Sequence, residues 1–337
     1  MRVMPDSSDS LDLARIVTLT PAPAIDRVYL VDRVWQGTVN RASRVESFLA
    51  GKGINVSRVL HAAGNDTIAV TALSERESSL ATGPTPFRLV SVPSATRVNT
   101  IIVSADGTTT NVNEQAASLR QEDWDRLAAA AVDEVRDRHA HWLVVAGSFP
   151  TIDGTAEHPD PACLLDDARA TGARICLDSG GGHLRDWMDA AHAIDLVKPN
   201  LDELSATVGR RLHTVGDVVD ACRELMHRGV GAVLASLGGD GAIFVSPVGA
   251  LWAMAPRVPV VNTTGAGDAT LAGFLQTQSS HATFDSDLDG LAVAVQRAVS
   301  WGSRTVMEFS TTPADFELME GVTVGEPPLH RPLDPAA

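Results

Sequence analysis

The stretch NTTGAGDATLAGFL, residues 262–275, joins a turn of small residues to an apolar run, with a single acid, Asp268, at the junction. Gly265 and Gly267 permit tight or left-handed backbone, and Ala266 between them leaves room for a ligand. The apolar run reads as a helix, so its first N–H groups lack intrahelical partners and its dipole favours an anion there. A phosphoryl or acyl oxygen gaining negative charge suits that position. Asp268 could take a proton from an attacking hydroxyl. An acid ahead of an apolar helix is equally often a plain N-cap. The turn lacks the GxxxxGKS/T spacing of a Walker A loop, so a P-loop nucleotide fold is not indicated. Two more acids stand at similar junctions. Asp26 follows a strand-like TLT and a proline-containing turn, and Glu203 follows KPN at 198–200, where a strand gives way to a helix. Turn stabilisation and a favourable charge at a helix start are the bland readings of these two.

The elements around these residues explain how they could meet. On open α/β sheets, ligands bind beyond the carboxyl ends of the strands, and PVV leads directly into the glycine turn. ARIVTLT (14–20) reads as a strand, INVSRVLHAAG (54–64) as a helix ending at Gly64, and NDTIAVTAL (65–73) as a strand. Helices then alternate with strands. A helix over 120–138 precedes HWLVVAG (141–147), and one near 162–171 precedes RICLDS (174–179). Another ends near Ala190 before AIDLVKPN (193–200), and one near 215–228 precedes GAVLASLG (231–238). This alternation predicts a mostly parallel sheet covered on both faces. GAIFVSP and GALWAMAP suggest an antiparallel pair at one side, and long helices near 268–279 and 286–301 follow. Strands at about 27–45 and 95–113, the second a hairpin turning at Asp106-Gly107, do not fit βαβ crossovers and predict a small β flap over the site. Residues 1–13 read as a disordered leader, and the proline-rich 326–337 as an irregular tail.

The net charge is −15, which argues against nonspecific binding to nucleic acid or an anionic membrane, though a few local arginines can still hold a small anion. Cys163, Cys176 and Cys222 form no CxxC pair, as expected of a reducing compartment without a structural zinc. The first residues are no secretory signal and no run of 18 apolar residues occurs, so the cytoplasm is the expected location.

TTGAGD (263–268) resembles the signature of the ribokinase-like sugar kinases, the PfkB family. AGKGINVSRVL (50–60) resembles the family's N-terminal glycine-rich signature. TLTPAPAID (18–26), TRVNT (96–100), GSFP (147–150), KPNLDEL (198–204) and SLGGDGA (236–242) occur in the family's order, so the likeness covers about residues 14–320. It implies one ribokinase-like kinase domain over 14–325. Asp268 would be the catalytic base, and Gly265, Ala266 and Gly267 would give backbone donors to the transferring phosphoryl group. Asp26, Gly51, Gly53 and Asn55 would line the sugar cleft, joined by Ser148. Lys198, Ser236, Gly238, Gly241 and Thr263 would face ATP, and Asn200 and Glu203 would organise Mg²⁺ through waters. The family often adds a monovalent cation such as K⁺, and its flap often pairs into a homodimer.

Arg41, Lys52 and Arg97 are the candidates for holding a phosphate already on the substrate, since Arg grips it bidentately and Lys as a point charge. VNR together with GKGINV resembles the 1-phosphofructokinase and tagatose-6-phosphate kinase branch. The expected reaction is phosphorylation of a ketohexose phosphate, with fructose 1-phosphate first, and fructose 6-phosphate and tagatose 6-phosphate as alternatives. A ribokinase- or nucleoside-type kinase and a non-catalytic sugar-phosphate sensor are the other classes; Arg97 and Arg41 oppose the former, Asp268, Asn200 and Glu203 the latter. Four departures from the family pattern stand out: Ala50 in place of a glycine, the segment SERESSLATGPTPF (74–87), NVNEQAASL (111–119), which lacks the usual proline and glycine, and GSFPTIDG (147–154) in place of a commoner GSLPPG.

Overall fold

The computed structural model describes residues 13–180, 184–185, 187–188, 194–279, 284 and 288–334. In chain order the strands are β1 (Ile16–Thr20), β2 (Ala24–Val31), β3 (Arg44–Ala50), β4 (Thr67–Ser74), β5 (Phe87–Val92), β6 (Arg97–Ser104), β7 (Thr109–Asn113), β8 (Trp142–Ala146), β9 (Arg174–Asp178), β10 (Ile194–Val197), β11 (Val230–Ser236), β12 (Ala242–Ser246), β13 (Gly249–Met254) and β14 (Thr323–Gly325). The helices that matter below are α1 (Lys52–Ala62), α2 (Gln121–Asp137), α3 (Ala162–Ala170), α4 (Leu201–Val208), α5 (Val215–His227), α6 (Ala266–Leu275) and α7 (Leu288–Thr305).

The main sheet runs β14-β13-β12-β11-β10-β9-β8-β1-β4-β5. It is parallel from β5 to β11 and antiparallel from β11 to β14. Alternation along each strand feeds two cores. Val17, Leu19, Leu143 and Val145 point to the face covered by α2, α3 and α5, while Ile16, Trp142, Val144 and Ala146 point to the face covered by α1, α6 and α7. Because both faces are apolar, these strands read as continuous hydrophobic runs rather than alternating ones. Helix α6 is buried from Asp268 to Leu275 between the sheet and α7.

The flap is a separate four-stranded sheet in the order β3-β2-β6-β7, with β2 and β6 parallel and both outer pairings antiparallel. The divergent 74–87 segment contains a 3₁₀ turn at Glu75–Leu80, and the chain then adds β5 parallel to β4 at the sheet edge. Glu77 accepts from the Ser74 hydroxyl at 2.7 Å and from the Thr96 amide at 3.1 Å, which ties this segment to the start of the flap strand carrying Arg97. The helix that the sequence suggests ending near Ala190 falls partly outside the described residues. Among the described residues, no helix is long and apolar enough to cross a membrane.

Candidate active site

A cavity of about 1600 Å³ lies beyond the carboxyl ends of the parallel strands, under the flap. Adjacent strand ends deliver its residues. Gly147 and Ser148 follow β8, Lys198 follows β10 and Ser236 ends β11, while Asp178, at the end of β9, is buried behind the lining. Opposite them, Gly265 enters α6 with φ +83°; a Cβ there would sit 2.6 Å from the Thr311 Cβ, so the turn requires glycine. α6 begins at Ala266, two residues before the expected start, which places Asp268 inside the first turn. The N-cap is Gly265, with no side-chain cap, so Asp268 does not cap the helix. Its carboxylate instead accepts from the Asn55 amide at 2.8 Å.

A charged network lies beneath that turn. Lys52, at the start of α1, donates to Asp178 at 2.8 Å and to Glu203 at 3.1 Å, and Lys198 pairs with the other Asp178 oxygen at 3.2 Å. Asp178 is fully buried and Lys198 is 3% exposed. Burial opposes charge on Asp178, but Lys198 and Lys52 together hold its carboxyl below the ordinary range. Burial likewise opposes charge on Lys52, yet Asp178 and Glu203 outweigh it and raise its pKa. Asp268 is shifted the other way. Burial and the Asp178 charge push its carboxyl up to about 6, against the pull of Asn55, Lys52 and Lys198. A buried carboxylate beside an open helix start, with a pKa near neutrality, is suited to accepting a proton from a hydroxyl. The Lys198 ammonium lies 3.5 Å from where a Gly267 Cβ would project, so positive charge backs the glycine turn.

The family model described as pfkB family carbohydrate kinase matches residues 16–314. The chain belongs to the pfkB family. A 1-phosphofructokinase of Haloferax volcanii is 35% identical over 312 residues, covering 90% of this chain and 94% of its own. One from Rhodobacter capsulatus is 35% identical over 270 residues, 77% of this chain and 83% of its own. Phosphofructokinase-2 from Escherichia coli in complex with potassium superposes with a TM-score of 0.78 at 27% identity, covering 90% of this chain and 96% of that one. This pfkB protein falls in the 1-phosphofructokinase branch and is an ATP-dependent carbohydrate kinase.

The residues expected on the sugar side of this pfkB cavity are partly assembled. Asp26 accepts from Asn99 at 2.8 Å across β2 and β6, and burial raises its pKa against the pull of Asn99, Arg97 and Arg58. The Arg97 guanidinium reaches the Ala22, Pro23 and Glu114 carbonyls and the Ser148 hydroxyl, all at 3.3–3.4 Å. Gly51, Lys52, Asn55, Arg97 and Ser148 line the cavity, with Ala50. Gly53 does not. It is buried in the first turn of α1, where a Cβ would meet the Thr20 hydroxyl at 2.6 Å, so its glycine serves the packing of that turn on β1. Arg41 lies on the exposed 32–43 loop and does not line the cavity.

On the opposite side, Ser236, Gly238, Gly241 and Thr263 line the cavity as expected. Gly241 also has a structural duty, since a Cβ there would lie 2.0 Å from the Ala253 carbonyl oxygen. The Ala266 amide, expected to face a phosphoryl group, closes a 3.3 Å turn onto the Thr263 carbonyl, leaving Gly267 and Asp268 as the less encumbered first-turn donors. Asn200 and Glu203 form a full capping box on α4, so the bland reading of Glu203 holds alongside its place on the cavity. Each Glu203 oxygen has one partner, Lys52 or the Asn200 amide, and keeps lone-pair capacity. Among the described residues, no cluster of three or more His, Cys, Asp or Glu could cage a metal. This sparse set of hard oxygens fits a Mg²⁺ that keeps its waters and takes most ligands from phosphate. Sequence reasoning missed Asp178, Arg58 and Asn99.

Proposed function

We propose that this enzyme transfers the γ-phosphoryl group of ATP to a hydroxyl of a phosphorylated ketohexose, fructose 1-phosphate giving fructose 1,6-bisphosphate. The observation that carries the reading is the Asn55–Asp268 pair beside the Gly265–Gly267 turn. Asp268 takes the proton as the sugar oxygen attacks phosphorus. The new O–P bond forms while the bond to the leaving ADP oxygen breaks. First-turn amides of α6, backed by Lys198, face the charge on the transferring group. Lys52 holds Asp178 and Glu203 in place beside it. Mg²⁺, when bound, would neutralise phosphate charge, with Glu203 and Asn200 orienting its waters.

The sugar would lie under the flap, with Asp26 and Asn55 on its hydroxyls. Its existing phosphate would go to Arg97, whose long 3.3–3.4 Å contacts are weak enough for a phosphate to replace. ATP would fill the other side, along Ser236 to Gly241, Thr263 and the 254–260 stretch. A monovalent cation such as K⁺ belongs to the same reading. The potassium-bound E. coli relative supports it, and beside the turn Val261 and Asn262 are tied to the Val306 and Phe309 carbonyls. A homodimer through the flap is the assembly we propose, because β3 and β7 lie at open sheet edges and are mostly exposed. Fructose 6-phosphate is the second substrate reading, since a phosphofructokinase-2 relative was solved with it at 27% identity.

ADP release from Mg-ATP tests this against fructose 1-phosphate, fructose 6-phosphate, tagatose 6-phosphate, fructose, ribose and adenosine. Turnover confined to a phosphorylated ketohexose is expected. Turnover only on an uncharged sugar or nucleoside would overturn the substrate class and leave Asp268 as base.

A further inference from the structure

The pfkB match ends at residue 314, yet the chain continues and returns to the cavity. Arg331, Pro332, Leu333 and Asp334 line it beside the 238–241 turn. We infer that this C-terminal segment is a wall of the ATP end of the cleft, and that Arg331 is a positioning residue that fixes the 238–241 turn through Asp240. The inference rests on the assignment above of that end to ATP.

Asp240 is 4% exposed, and the tail claims both of its carboxylate oxygens. Arg331 donates to one at 3.1 Å, and the Asp334 amide donates to the other at 2.6 Å. The Arg331 guanidinium also stacks 5.0 Å over the Trp252 ring, and the Trp252 indole donates to the Asp240 carbonyl at 3.0 Å. The turn is closed internally by the Leu237 amide on the Gly241 carbonyl at 2.8 Å and the Gly241 amide on the Gly238 carbonyl at 3.1 Å, and Asp240 is the side chain through which the tail holds it in place. A buried carboxylate deprived of its cation is costly, so loss of Arg331 would favour turn geometries that expose Asp240 to water.

The segment is built in rather than laid on. The first-turn amides of α5, which a helix leaves unpaired, are met by the tail: Val215 donates to the Arg331 carbonyl at 3.0 Å and Gly216 to the Leu329 carbonyl at 2.9 Å. A Cβ at Gly216 would come within 2.8 Å of that Leu329 oxygen. The Leu333 amide donates to the His213 carbonyl at 2.9 Å, and the Leu333 side chain packs against the core. Residues 329–334 of the proline-rich tail are thus docked against α5 and the 238–241 turn.

The test uses the full chain carrying Arg331→Ala, Arg331→Lys, Asp240→Asn or Asp240→Asn with Arg331→Ala. KM for ATP, KM for the sugar phosphate, kcat, equilibrium ATP binding without sugar and melting temperature are measured on each. Arg331→Ala should raise KM for ATP about tenfold, the scale of one charged hydrogen bond, and move the sugar KM less than about twofold. Arg331→Lys should recover part of that loss. The double variant should be no worse than the worse single, because the two side chains act as one unit. Unchanged ATP binding in Arg331→Ala would overturn the inference. So would parallel losses in both KM values, kcat and melting temperature, which would mark a merely structural contact. A wild-type protein that binds no ATP at equilibrium would instead sink the ATP assignment itself, and the inference with it.

Discussion

Asp178 is buried between two lysines, whereas every residue of β7 on the flap faces solvent. The two sides of one cavity are thus built to different standards. On the transfer side the side chains spring from consecutive strand ends and are cross-linked through Asp178 and Glu203, so their charges are fixed before any substrate arrives. On the flap side, Asp26 has its cross-strand partner Asn99, but Arg97 has only long contacts, and the exposed 32–43 loop is bonded mostly to itself. Preorganised charge is what phosphoryl transfer needs. Recognition of a particular sugar needs only a few correctly placed polar groups, and a lightly packed lid can vary these without disturbing the chemistry.

The sharpest way to break this contrast is at Asp268. Asp268→Asn should lower kcat by roughly 10²–10⁴-fold, the range for a lost general base. Its pH signature has a definite sign. The carboxyl is raised from 3.8 to about 6 by burial and by Asp178, so the base is lost as pH falls through about 6. Below that point kcat/KM should drop about tenfold per pH unit. The raised pKa also means that the folded state binds the extra proton, so stability is lost through Asp268 as pH rises from 3.8 through about 6, and the full cost stays constant above that. At pH 7 the Asn variant should therefore melt no lower than wild type. A large fall in its melting temperature would show that Asp268 is a structural anchor and that the transfer side is not strained for catalysis.

Asp178→Ala probes the same side through stability. It strands Lys198 at 3% exposure beside Lys52, and loss of one partner from such a buried pair costs about 3–5 kcal/mol. Urea unfolding measures it. A cost below about 1 kcal/mol would mean that water reaches these lysines and that the network is not the rigid half of the comparison. On the flap side, Arg97→Ala should act on binding. KM for the sugar phosphate should rise roughly 10–100-fold, in line with a lost charged hydrogen bond pair, with a smaller change in kcat. An unchanged KM would remove the phosphate from Arg97.

Local patterns explain which residues were readable. The glycines at 265 and 267, the Asn200–Glu203 spacing and the helix start at Lys52 are short-range signals whose geometry follows from neighbouring residues. The sheet was legible because each parallel strand is a short apolar run between helical patterns. Asp178 was not, because RICLDS reads only as a strand and nothing local says that β9 lies beside β10, where Lys198 completes the pair. Arg58 escaped for a similar reason. It lies one turn after Asn55 on α1, and only the tertiary fold brings it near Asp26. Gly53 shows the opposite failure: its position within a ligand-binding motif suggested contact with sugar, while close packing on Thr20 accounts for it.

Arg41 sets the lower bound of the comparison. The sequence groups it with Arg97 as a phosphate ligand, yet it lies exposed on the loop between β2 and β3, away from the cavity. A cation surrounded by water is screened over about 8–10 Å at ordinary salt, so its pull on a sugar phosphate should be slight. Arg41→Ala should change KM and kcat by less than about twofold, and raising the salt should not enlarge the difference. A loss as large as that of Arg97→Ala would mean that the 32–43 loop folds over the sugar during turnover. The flap would then be a moving part whose open form is the one described, and the contrast between the two sides would be one of timing rather than of construction.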